Sequence, residues 1–312
     1  METRRLRYFL QIAEEGSMGR AASVLGIAQP ALTRQVRLLE EALGVPLFIR
    51  SQRGMQLTED GEQLRAAIKK PMREIELALQ NVGAPSAPIE GVVVLGMPSA
   101  TACILAKPLL ASVNLAFPKV KFRVVDGQSG QLIEGLLRGE VDLALVHGPL
   151  PDDRLFDRDV LSEDLVLVGG PGSGLSADVS VDFVELSRHA LVLPSHHHGV
   201  RAVLEKAALR LNAPLDILFE IDSLQLAKEL VESDVAFTVT PFSAIGREYE
   251  AGWLKYAPIH NPVLSQTLVF AVRQHLVLPR NFVWELGALV GREAASLVVS
   301  GAWPATVLFD AA

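Results

Sequence analysis

The sequence predicts an α/β protein with a separate, all-helical unit at its N-terminus, and three observations lead there. The first is a change of periodicity. Up to about residue 82 apolar residues recur at helical spacings, whereas from 91 to 300 short apolar runs alternate with helical stretches. The second is a change of charge. Residues 1–70 hold 11 Lys and Arg against 8 Asp and Glu, while the rest holds 18 against 28, in a chain of net charge −7. The third is "GAPSAPIEG", a Pro- and Gly-rich stretch after residue 82 that reads as a hinge over 83–90. At 312 residues and 49% hydrophobic composition the chain has enough apolar material for two or more cores.

Other whole-chain features narrow the setting. A single cysteine, Cys103, excludes an intramolecular disulfide and fits a reducing compartment. We find no run of about 18 apolar residues of the kind that crosses a bilayer. The opening "METRRLRYFLQIAEEG" lacks the long apolar core of a signal peptide, so the expected location is the cytoplasm.

The N-terminal unit reads as three short helices. Leu6, Phe9, Leu10 and Ala13 stripe the first. In "SMGRAASVLG", Ser17 is placed to cap the second helix, Ala21, Ala22 and Leu25 face inward, and Gly26 supplies the stop. The third lies in "AQPALTRQVRLLEEALG", residues 28–44. Leu32, Val36, Leu39 and Leu43 share an apolar stripe, while Gln29, Pro30, Thr33, Arg34 and Arg37 take the other side. Two helices joined by a tight glycine-containing turn form a helix-turn-helix, whose second helix enters the DNA major groove. There Arg reads guanine, Gln reads adenine, and Thr meets a thymine methyl or a phosphate. "VPLFIRSQRGMQLT" adds two short strands around Gln52-Arg53-Gly54, a wing carrying Arg50 and Arg53 towards the minor groove or backbone. The alternative is that these arginines form only a solvated face.

Residues 1–57 are thus expected to be a winged helix-turn-helix and 58–82 a linker helix, with Thr58 as its cap. Ile68, Met72, Ile75, Leu79 and Val82 recur at 3.5-residue spacing, a seam for pairing with a second copy or for packing on the helix's own domain. Pro71 predicts a bend near residues 67–71.

Residues 1–82 resemble the LysR-type transcriptional regulators. The resemblance rests on Ala21-Ala22, Gln29-Pro30-Ala31-Leu32, Leu39-Glu40, Leu43-Gly44, Leu47-Phe48 and Leu57-Thr58, which stand in family positions. It implies that Gln29, Pro30, Thr33, Arg34, Arg37, Arg50 and Arg53 contact DNA. Ala28, Met18 and Asp60 depart from the family's usual Ser, Phe and Ala, and Pro71 is atypical of its linker helix.

In the C-terminal body "GVVVLGM", "VKFRVVD" and "VDLALVHG" read as strands, with helices from about Thr101 and Gly130. "DLVLVGG", "HALVLPS", "LDILFEID" and "DVAFTVTP" continue the alternation, with helices from about Gly199 and Ser223. Alternating β and α patterns predict parallel sheets covered by helices, with ligands taken at strand C-terminal ends. The resemblance implies the same, a bilobed effector domain similar to periplasmic binding proteins. Lobe I is expected at about 91–160 and 266–300, lobe II at about 161–265, and a tail over 301–312. Ser99, Thr101, Gln128, Ser129, His147, Ser195, His197, His198 and Thr240 fall at strand ends and are the candidate effector residues. Each Ser or Thr can equally be a helix cap. A helix N-terminus there favours an anion, and imidazolium from His147 and the histidine run would add to that.

Enzyme motifs are lacking. "GQSGQ" misses the second glycine of a nucleophile elbow, and "GGPGSGL" has no Lys-Ser/Thr of a phosphate loop. No metal is expected, since the consecutive His196, His197 and His198 cannot converge on one ion. The sequence reading is therefore a DNA-binding transcriptional regulator modulated by a small effector, without cofactor. Its partners are an inverted-repeat operator and further copies of itself as homodimer or homotetramer, with contact to RNA polymerase left open. The alternative is a small-molecule-binding protein or enzyme that uses its N-terminal unit only to oligomerise.

Overall fold

The computed structural model describes residues 3–51, 54–81, 90–150, 152, 154–196, 198–274 and 278–309, without side chains at 50–51, 69–70, 73–74 and 76–81. It divides into two compact units, Met1–Pro85 and Ser86–Ala312.

In the first unit, α1 (Thr3–Glu15), α2 (Met18–Val24) and α3 (Gln29–Leu43) are followed by strands β1 (Phe48–Ser51) and β2 (Gly54–Leu57) and by α4 (Glu59–Asn81). Ser17 caps α2, its hydroxyl accepting from the Arg20 N–H. Gly26 and Gly44 end the turns after α2 and α3 at φ +65° and +76°, where an L side chain would be strained. Pro30 sits in the first turn of α3, where no hydrogen bond is lost. Leu32, Val36 and Leu39 are buried against Phe9, Ile12, Ala21 and Ala22, each large side chain contributing about 1.5–3 kcal/mol.

The wing is held by a residue whose role only the fold reveals. Glu40 on α3 accepts the Leu47 N–H at 2.7 Å and the Phe48 N–H at 3.3 Å, which fixes the approach to β1. Replacing Glu40 with Gln keeps an acceptor but removes its charge. We expect the N-terminal unit to lose about 1 kcal/mol, read as an earlier urea midpoint of its unfolding transition.

Thr58 accepts the Gly61 N–H at 3.0 Å and so caps α4. The helix continues through Pro71 to Asn81. Met72 is buried, Ile68 packs on the domain core and Ile75 is exposed. The Leu79 side chain, Val82 and the hinge to 89 lie outside the described residues, as do Gln52 and Arg53.

The second unit is built on strands β3 (Gly91–Pro98), β4 (Val120–Gly127), β5 (Leu143–His147), β6 (Leu155–Gly169), β7 (Val181–Asp182), β8 (Leu191–Leu193), β9 (Ile217–Glu220), β10 (Thr238–Pro241), β11 (Lys255–His260), β12 (Ser265–Arg273) and β13 (Ala305–Val307). Helices α5 (Ser99–Ala116), α6 (Ser129–Arg138), α7 (Gly199–Leu211), α8 (Leu224–Glu232), α9 (Gly246–Glu250) and α10 (Arg280–Val299) cover them, with 3-10 turns at Phe183–Arg188 and Phe242–Ala244. Strand β6 belongs to both lobes. Its residues 155–164 pair with β12, and 161–163 also pair with β13, in a sheet ordered β4-β3-β5-β12-β6. Its residues 165–169 pair with β10 and β11 in lobe II, where Phe237, just before β10, is bridged to Leu191 of β8 and β8 pairs with β9. The crossing thus falls inside one strand, near 164–165, and the return lies between β11 and β12.

One expectation is corrected here. Residues 301–309 are no tail but part of lobe I. Trp303 is fully buried, β13 extends the sheet, and the Phe309 ring packs on Gly291 under the Arg158 guanidinium at 4.2 Å. A strand of three residues beside a proline carries too little periodicity to be read locally. Helix α5 is, by length and composition, apolar enough to cross a membrane. Its Leu105, Leu109 and Val113 are buried in the lobe I core beside α10, so one face of this helix lies on that core.

Candidate functional site

The outward face of α3 carries five of the candidate DNA residues. Gln29, Pro30, Thr33, Arg34 and Arg37 are all exposed, opposite the buried leucines. The Thr33 hydroxyl donates to the Gln29 carbonyl at 3.0 Å. Arg37 meets Glu41 at 2.8 Å with both side chains mostly in solvent, a pair that costs little to break. Among the described residues Arg34 has no ion-pair partner. The Arg50 side chain and the whole of Arg53 lie outside the described residues.

In the second unit, four helices start at the cleft between the lobes. Helices α5 and α6 follow β3 and β4 of lobe I, while α7 and α8 follow β8 and β9 of lobe II. Ser99, Gln128, Ser129, His147, His198 and Thr240 line this cleft together with apolar walls from Val192, Leu193, Ile221 and Leu224. It encloses about 90 Å³ of water-accessible space, several times the roughly 10–15 Å³ that one water needs.

The caps of these helices differ. On α6 the Gln128 and Gln131 side chains form a reciprocal capping box. On α7 the His198 Nδ1 accepts the Val200 N–H at 3.3 Å, and on α8 Ser223 accepts from Leu226. Helix α5 starts behind Pro98 with no side-chain cap, so its first N–H groups stay available at the cleft.

The Ser195 N–H donates to the Asp222 carboxylate at 2.9 Å and holds that carboxyl below the usual carboxylate range. Lys228 also lines the cleft, its Nζ already committed to Glu248 at 2.6 Å and to the Ala244 carbonyl. Asp222 and Lys228 escaped the sequence reading because neither stands in a motif.

Two expected residues do not reach the lining. Thr101 is fully buried with its hydroxyl unpartnered. Two helical positions are about 200° of turn, so a helix that offers Ser99 to the cleft turns Thr101 to the core. Ser195 is likewise not a lining residue and is bound to Asp222. The histidine run divides. His196 lies in an exposed network with Glu205 at 3.0 Å, itself paired with Arg201, His197 lies outside the described residues, and His198 faces the cleft. Among the described residues no metal-type cluster forms. Desolvation pushes the Cys103 thiol upward, away from a reactive thiolate.

Burial pushes His198 below the ordinary histidine range, nearby His147 pushes the same way, and Asp222 opposes both. At neutral pH His198 therefore offers one Nε2–H rather than a full charge, unlike the imidazolium expected from sequence. The unfolded chain takes up this proton at higher pH than the folded one. Stability is complete above about pH 6.5 and declines as pH falls through that value towards the folded pKa. His198→Asn, which keeps a cap acceptor, is expected to narrow the gap between urea midpoints at acidic and neutral pH.

Family models match both units. Residues 3–62 match the bacterial regulatory helix-turn-helix protein, lysR family, and 86–290 match the LysR substrate binding domain. The chain belongs to the LysR family of transcriptional regulators. This LysR-type regulator is 30% identical over 304 residues to the HTH-type transcriptional regulator BbuR of Bordetella bronchiseptica, covering 97% of this chain and 93% of that protein. It is 34% identical to the nitrogen assimilation regulatory protein nac of Klebsiella aerogenes, over 86% and 87% of the two chains. Its fold matches oxidized OxyR of Corynebacterium glutamicum, with TM-score 0.72 and 23% identity over 97% and 95%. Full-length BenM matches with TM-score 0.57 and 22% identity over 96% and 98%. The regulator accordingly couples a helix-turn-helix DNA-binding domain to an effector-binding domain, and its family is one of regulators rather than enzymes.

Proposed function

We propose that this LysR-type regulator binds an inverted-repeat operator through Gln29, Pro30, Thr33, Arg34, Arg37, Arg50 and Arg53, and that a small anion in the lobe cleft modulates this binding. The observation that carries the anion is the uncapped start of α5 in a cleft whose other helix starts are capped. Ser129, backed by His147, and Thr240 stand around it, the Ser99 hydroxyl being donated to Asp126, and the apolar wall takes the body of the ligand. An anion that favours one arrangement of the lobes shifts the population towards it. Pairing through α4 as a dimer, or as a tetramer on an extended site, converts that shift into altered DNA bending. The setting is cytoplasmic, and contact with RNA polymerase belongs to the same reading.

The test is footprinting on DNA from immediately upstream of its own gene, at two salt concentrations, against random competitor, with and without small carboxylates. A protected, salt-sensitive site altered by one of the acids supports the proposal. Absence of any DNA binding at low salt defeats the DNA contact assignment, and indifference to every acid defeats the anion.

A further inference from the structure

Behind the cleft wall runs a polar chain from Ser129 to the C-terminal segment. Ser129 Oγ accepts the His147 backbone N–H at 3.0 Å and lies 3.3 Å from His147 Nδ1. On the far side of the ring, His147 Nε2 stands 3.8 Å from Glu163 Oε1, on a side chain with no exposed surface. The other carboxylate oxygen, Oε2, accepts the Trp303 indole N–H at 2.8 Å. Nε2 and Oε1 face one another, and both are buried without a hydrogen-bond partner.

Donor and acceptor rules restrict how this chain can be protonated. An ionised carboxylate only accepts, so Nε2 must carry hydrogen to satisfy Glu163. In the neutral ring Nδ1 is then an acceptor, and the Ser129 hydroxyl must donate to it. Ser129 already accepts from the backbone, so it turns only a lone pair to the cleft, which repels an anion. Freeing the Ser129 hydrogen for an anion requires a proton from solvent on Nδ1. The ring becomes imidazolium, donating to Ser129 on one side and facing the Glu163 carboxylate on the other. One proton enters, and no other bond is made or broken.

We propose that Glu163 is a positioning residue of the effector cleft, acting through His147 so that an anion captured at Ser129 brings one proton with it. This rests on the anion reading of the cleft given above. The groups facing the pair are few. His198, at the start of α7, lies near His147 and Asp222, and Lys228 in the same cleft is paired with Glu248. Across the strands the partners of Glu163 are Gln266 on β12 and Ala305 on β13, both neutral.

Trp303 makes the chain observable, because its indole bonds to the carboxylate in question. The chain has three tryptophans, and full-length protein carrying Trp253→Phe and Trp284→Phe leaves Trp303 as sole emitter. Its emission is recorded across about pH 5 to 8, in chloride and in excess acetate at equal ionic strength. We expect a single-proton curve, moved to higher pH by acetate and abolished by His147→Gln. Glu163→Gln keeps an acceptor for Trp303, and should move the curve to lower pH and remove the effect of acetate. A flat response, or a curve untouched by Glu163→Gln, overturns the role of Glu163. A curve that depends on both residues but ignores acetate upholds their coupling and overturns the anion reading instead.

Discussion

Trp303→Ala is expected to destabilise the effector-binding unit by about 3–5 kcal/mol, the cost of emptying a fully buried tryptophan site. Two separate losses compose it. The ring fills lobe I between β6 and α10, packed with Leu161, Leu286 and Val290 of the same core. Its indole N–H also satisfies one oxygen of Glu163, a carboxylate that water cannot reach. Trp303→Phe separates the two, since it keeps most of the volume and removes only the donor. That variant should lose about 1–3 kcal/mol, the cost of stranding a buried acceptor. Urea unfolding followed by circular dichroism checks both. The chain has two units and need not unfold in one step, so the expected pattern is an early effector-domain transition with the N-terminal one unchanged. An alanine variant within about 1 kcal/mol of the parent would mean that the last residues are dispensable to lobe I.

The second large effect concerns DNA. Arg34→Ala should weaken specific binding by about 1–3 kcal/mol, roughly 5- to 150-fold, if its guanidinium reads a base edge. Arg34 is exposed on the outward face of α3 and has no ion-pair partner among the described residues, so its donors need not be freed first. Arg37 differs, because its contact with Glu41 must open. Competition against random DNA distinguishes the roles. A base contact loses affinity for the operator alone, with Arg34→Lys doing little to restore it, because the ammonium lacks the two-pronged geometry. Equal losses on specific and random DNA, with a salt dependence shallower by about one ion, would make Arg34 a phosphate contact.

The legibility of this protein followed the range of the interactions involved. Helix α3 could be read because its stripe, its Pro30 start and its Gly44 stop act within a few residues of one another. Ser17 and Thr58 were readable as caps for the same reason. In the second unit the β/α alternation marked the strand ends, and Ser99, Gln128, Ser129, His147, His198 and Thr240 do meet at the cleft. Thr101 is instead turned into the core and does not line the cleft, because the direction of a side chain on a helix depends on which face the core claims.

By itself, then, the sequence determined the helix-turn-helix and the set of turns that line the cleft, since local periodicity and capping specify each, while its motif residues carried the family resemblance. Tertiary structure alone decided that β6 serves both lobes, that residues 301–309 close lobe I, and that Glu163 stands behind His147 while Trp303 bonds to it. Those facts arise from pairing between strands about 100 to 140 residues apart in sequence, whose register depends on the whole sheet. Within "LSEDLVLVGG", Glu163 looks like a solvated charge beside Asp164. Only when β12 and β13 flank it does the same carboxylate become buried and require partners.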